Sequence, residues 1–99
     1  MEKLFILVDN KYDLPYQGVQ GGHAGFQWLL DNKDTQTWNN GHVVYLQTNN
    51  LQKWMYKLDH KGMKYSYFVE PNVDFQITAL ACCTDDYNTF RQLKLMGAK

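Results

Sequence analysis

Ninety-nine residues with ten basic and ten acidic side chains give no formal net charge, so the chain lacks the basic excess with which proteins normally meet a phosphate backbone. At 44% hydrophobic and 15% aromatic it has enough apolar surface to offset ordering entropy, which excludes a disordered polymer, and its length leaves room for one core only. The adjacent Cys82 and Cys83 cannot easily bridge each other, and the opening apolar run is too short for a signal sequence or a membrane span, so a reducing, cytoplasmic setting is expected.

Leu4 to Val8 is a continuous apolar run ended by Asp9 and Asn10, the pattern of a strand covered on both faces. Asp13, Leu14 and Pro15 mark a turn. From Gln17 the apolar residues Val19, Phe26, Trp28, Leu29 and Leu30 predict a helix, although Gly18, Gly21, Gly22 and Gly25 each cost about 1 kcal/mol relative to alanine inside one. Asp31 to Gly41 reads as a polar, exposed connection in which Trp38 is the one large apolar residue. His42 to Gln47 is a second strand. Leu51, Trp54, Met55 and Leu58 then recur at i, i+3, i+4 and i+7 behind the cap candidates Thr48, Asn49 and Asn50, predicting a second helix that ends at Lys61 and Gly62. Lys64 to Val69 alternates as a strand, Glu70-Pro71-Asn72 breaks it, and Gln76 to Cys83 is the fourth strand. Thr84, Asp85 and Asp86 can cap a last helix from Tyr87 to about Leu93. The order is β-α-β-α-β-β-α, in one domain spanning residues 1–99.

The four glycines of the first helix fall at i, i+3, i+4 and i+7 and form one smooth stripe. Such a stripe lets a helix approach a sheet closely, or lets backbone approach a ligand; both readings stand. No GxGxxG or phosphate-loop sequence accompanies it. His42 and His60 lack the companions that zinc spacing requires, and the paired cysteines read as packing, so neither metal nor cofactor is expected.

Asp13-Leu14-Pro15 followed by Gln20-x-x-His23-Ala24 resembles the DL…AAQxxHA segment of the type 2 peptidyl-tRNA hydrolase family. The later segments Gly41 to Leu46, Lys61-Gly62-Met63, Tyr67 to Pro71 and Thr78-Ala79-Leu80 follow that family's order and spacing over nearly the whole chain. The resemblance implies a mixed four-stranded sheet with helices on both faces, a three-layer α/β/α domain, and a cleft lined by Tyr16, Gln20, His23, Glu70, Asn72 and Thr78. Active members carry a lysine before the AAQ triplet; here no lysine lies between Lys11 and Lys33, and Tyr16 takes the nearest equivalent place. The family's Asp-Ala-Gly-x-Thr loop is replaced by Glu70 to Asp74.

These departures move the expectation from hydrolysis to non-catalytic binding of a nucleotide or nucleotide-derived signalling molecule, with sequestration as its extension, as some virus- or mobile-element-encoded proteins do. Tyr12, Tyr16, Trp38 or Tyr67 can stack a base without any net positive charge. The enzymatic alternative is ester hydrolysis of peptidyl-tRNA, or cleavage of a small nucleotide, with His23 and Glu70 supporting a water attack. A third is a protein-interaction domain using Trp38 and Phe75. A homodimer or higher oligomer is expected, since one domain leaves many of its rings exposed.

Overall fold

The structure, a computed structural model, describes residues 1–99. Four strands, β1 (Lys3–Asp9), β2 (Val43–Thr48), β3 (Ser66–Glu70) and β4 (Gln76–Thr84), and two helices, α1 (Leu14–Asp31) and α2 (Leu51–His60), form a mixed α/β fold. The sheet order is β2-β1-β4-β3. β1 and β2 run parallel, while β4 is antiparallel to both β1 and β3, with an irregularity between Phe68 and Val69. The apolar run of β1 thus lies inside the sheet, and Leu4 to Val8 are all buried.

Alternate residues of β1 feed two separate cores, as the two-residue repeat of a strand requires. Phe5 and Leu7 join Leu46, Leu80 and Cys82 beneath Leu51, Trp54 and Leu58 of α2. Leu4, Ile6 and Val8 join Ala79 and Ala81 beneath Ala24 and Trp28 of α1. No helix is long and apolar enough to cross a membrane.

Asp13 and Pro15, read from sequence as a turn, start α1 instead: the Asp13 carboxylate accepts from the Tyr16 N–H at 3.0 Å, and Pro15 sits in the first turn, where its missing N–H costs nothing. The glycines of α1 divide by role. A Cβ on Gly21 would stand 2.5 Å from Tyr45 Cε2 and 3.0 Å from Ile6 Cγ2 and Val8 Cγ1, and one on Gly25 would stand 3.3 Å from Ile6 Cδ1. These two let α1 lie against β1 and β2. At Gly18 the nearest atom is Met96 Cε at 4.0 Å, so packing does not require glycine there.

The helix expected from Tyr87 to about Leu93 is not formed; only a 3-10 turn spans Tyr87–Phe90, and Asp86 makes no side-chain cap bond. Geometry supplies the reason. Thr84 pairs with Lys3 at one end of β1, whereas the Gln47 N–H, near the other end, donates to the Lys94 carbonyl. The intervening chain must cross the length of the sheet, and an α-helix rises only about 1.5 Å per residue. Phe90 is anchored on the way, with its ring 4.8 Å from that of Phe5 and 5.7 Å from that of Trp54. The chain then continues along β2, where Leu95 bridges Leu46 and the Met96 N–H donates to Tyr45.

Candidate functional site

Because β4 is antiparallel to its neighbours, the carboxyl ends of β1, β2 and β3 and the start of β4 all lie at one end of the sheet. The turns from Asp9, Thr48 and Glu70 emerge there, and both helices begin there. Ligands of open α/β sheets favour this end, where successive connections leave to opposite faces.

Four of the residues singled out in the sequence meet at that end in one hydrogen-bonded chain. The Thr78 hydroxyl donates to Gln20 Oε1 at 2.5 Å, which leaves the Gln20 amide to donate to Glu70 Oε1 at 3.1 Å. The Tyr16 hydroxyl donates to the same Glu70 oxygen at 3.4 Å. Gln20 and Thr78 are fully enclosed, and Glu70 is only 8% exposed. The second Glu70 oxygen has a single long contact, 3.5 Å from the Asn72 N–H. No cation pairs with this carboxylate; the salt bridges of the molecule are Lys11 with Asp9 and Lys61 with Asp86. Burial, then the adjacent Glu70 carboxylate, then Tyr12, hold the Tyr16 phenol above its ordinary range, so it stays a donor at neutral pH.

The other two predicted positions stand apart from this chain. Asn72 is exposed and contributes its backbone rather than its side chain. His23 is exposed and makes no hydrogen bond; its ring stacks on Phe68 with centroids 4.4 Å apart and planes 11° off parallel.

A cation stands near this group. Lys11 extends from the turn after β1, donates to Gln76 Oε1 at 3.2 Å, lies 3.8 Å from Asp9 Oδ2 and covers the Tyr12 ring at 5.2 Å. Gln76 is the register partner of Glu70, so this ammonium binds the side chain of the residue paired with the buried carboxylate. Its signal in the sequence was its place just after a strand end. Beyond Gln76, towards α2, a cavity of about 420 Å³ opens between Asp9, Asn50, Met55, Phe75 and Ile77. None of the six predicted residues lines it. Asp74 and Phe75, which lead into β4 beside the cavity, both have φ of 58°, a left-handed backbone that costs roughly 1–2 kcal/mol at each non-glycine residue.

The cysteines take no part. Both are free, and burial, then the neighbouring Cys83, pushes the Cys82 thiol up to about 12, while burial, then Glu2, pushes Cys83 up to about 11. Neither offers a thiolate near neutrality.

No protein-family model matches this chain, and no curated protein matches it. Among solved structures it is similar to Atu0240 of Agrobacterium tumefaciens strain C58, described as a protein of unknown function, with a TM-score of 0.67 and 10% identity over 95% of this chain and 96% of that one. At that identity the likeness concerns the fold alone.

Proposed function

We propose that this protein is a binding module of the type 2 peptidyl-tRNA hydrolase kind, a three-layer α/β/α domain that holds a nucleotide or nucleotide-derived small molecule at the carboxyl end of its parallel strands without transforming it. One observation carries the reading: Glu70 is a buried carboxylate fixed by Gln20 and Tyr16, and it has no cation. A buried charge is costly unless donors satisfy it, and its second oxygen accepts only the long 3.5 Å bond from the Asn72 N–H, which leaves room for a stronger donor. A ligand that brings amino, imino or hydroxyl donors completes that shell. Tyr12 and Tyr16, with rings 5.1 Å apart and tilted by 58°, flank the position and supply faces for a base. The left-handed pair Asp74–Phe75 adds local strain of a kind that concentrates at ligand sites.

Binding without turnover agrees with the position of His23. A water-activating pair needs base and partner within hydrogen-bond reach, and His23 is committed to Phe68 with no bond to Glu70. In a panel of nucleotides and cyclic or linked derivatives, at least one should raise the melting temperature, and both Tyr16→Ala and Glu70→Gln should abolish that rise. Mass spectrometry should recover the ligand chemically unchanged. A panel that produces no shift in any member overturns the reading.

Lys11 supports a second reading, ester hydrolysis of peptidyl-tRNA, because it supplies at this end of the sheet the ammonium that the α1 segment lacks. Release of free tRNA from peptidyl-tRNA, lost in Lys11→Ala and His23→Ala, would establish it.

A further inference from the structure

The outer face of α1 contradicts the composition of the rest of the surface. α1 is 18 residues long, and Asp31, its last residue, is the only Asp, Glu, Lys or Arg in it. Its buried side comprises Gln17, Gln20, Gly21, Ala24, Gly25 and Trp28, so at 100° per residue Pro15, Val19, Phe26 and Leu30 point away from the sheet, with Gly22 and His23 on the two margins of that face. Val19 is 56% exposed, Phe26 65% and Leu30 67%. By contrast α2, barely more than half as long, carries Lys53, Lys57 and Asp59. A solvent-facing helix normally has a charged outer face; an apolar stripe there marks a contact surface.

We infer that this face is the two-fold interface of a homodimer in which α1 packs antiparallel against α1 of a second copy. Three features favour a second copy over a foreign partner. First, the face is neutral, and so is the whole chain, so two copies meet without like-charge repulsion.

Second, the face tapers. Its amino-terminal half offers Gly18, Val19 and Gly22, and its carboxyl-terminal half offers Phe26 and Leu30. An antiparallel pair crossing near Gly22 and His23 sets the bulky half of each helix on the slim half of the other.

Third, projection and recess belong to one patch. Beside the stripe lies an apolar cavity of about 520 Å³ whose walls include Ile6, Gly22, Gly25, Leu29, Trp38 and Tyr45. A two-fold interface uses the same patch twice, so it must carry both a knob and the hole that receives it. With the helices crossing near Gly22 and His23, Phe26 of each copy lies over Val19 and Gly22 of the other, at the rim of that recess, which gives the half-buried Gly22 a role in assembly.

Along a helix about 27 Å long the contact falls at the lower end of the size range of specific interfaces, and association on the order of micromolar strength follows. This inference is independent of the ligand reading, since Glu70 and Gln20 take no part in it.

Sedimentation equilibrium on the full chain tests it. The wild type should shift from monomer to dimer as concentration rises through the micromolar range, and Phe26→Glu and Leu30→Lys should each weaken the dimer by at least about thirty-fold. Both side chains are exposed, so circular dichroism should show an unchanged fold. Tyr56→Glu, at an equally exposed ring on α2, should leave the dimer intact. An equimolar mixture of Phe26→Glu and Val19→Lys should recover dimer, because antiparallel packing brings those two positions together. A wild-type chain that stays monomeric up to about 200 μM, or a dimer that survives both α1 substitutions, overturns the inference. A mixture that recovers no dimer overturns the antiparallel register.

Discussion

Replacing Thr78 with valine keeps a side chain of nearly the same shape and removes the hydroxyl that fixes the amide of Gln20. Gln20 Oε1 then remains buried with no donor, a loss of about 1–3 kcal/mol that urea denaturation should read directly. Thr78→Ser, which restores the donor, should recover part of it. The same substitution frees the Gln20 amide to turn, so Thr78→Val should also weaken any ligand held by Glu70 although Thr78 is too deep to touch it. Cys82 sets a separate expectation. Its thiol titrates at about 12 in the folded chain against an ordinary 9.0. A raised value means that the native state favours the protonated form, so this contribution to stability is whole below pH 9 and is lost as pH climbs towards 12. Under reducing conditions, the fall in unfolding free energy across that window should be shallower in Cys82→Ala than in the wild type. At this scale Tyr16, Gln20, Glu70 and Thr78 were named through the family resemblance rather than from any local pattern, and the structure brings the four into one hydrogen-bonded chain. The sequence did not single out Lys11, because a place just after a strand end does not by itself distinguish a lysine that reaches across to Gln76 from one in solvent.

At the scale of elements, the two readings of the glycine stripe separate position by position. Gly21→Ala places a methyl group against Tyr45 and the β-branched side chains of Ile6 and Val8. Overpacking of about 1–3 kcal/mol exceeds the roughly 1 kcal/mol that alanine returns in helix propensity, so this variant should melt lower. Gly18→Ala meets nothing closer than Met96 and should melt higher, by up to about 1 kcal/mol of stability. Thermal unfolding of the two variants checks both signs. Elements governed by their own periodicity were legible: Leu51, Trp54 and Leu58 are the buried face of α2, and the unbroken apolar run of β1 lies inside the sheet. The missed elements depended on distant chain. Asp13-Leu14-Pro15 suits a turn and a helix start equally well, and only the Asp13–Tyr16 bond distinguishes them. The segment after Thr84 carries a cap signal and a few helix formers, but its conformation is dictated by the need to reach the edge of β2.

For the whole molecule, order along the chain and order across the sheet disagree. The mixed sheet was expected from the resemblance; the apolar run Ala79 to Cys83 suits a covered strand, but nothing local announces that the last strand made lies between β1 and β3. The consequence falls on how the protein folds. β1, α1 and β2 can assemble a parallel pair early, but β3 has no partner until residues 76–84 arrive, and every contact of β4 with β1 closes a loop of most of the chain. A fragment ending before Gln76 should therefore show no cooperative unfolding transition. Refolding of the intact chain should run on the slow, non-local side for its length, with substitutions in β4 such as Ala81→Gly slowing refolding more than they speed unfolding. The strand that carries Thr78 into the buried polar chain is thus also the one whose arrival completes the sheet, so the candidate site and the cooperative fold are acquired in a single step.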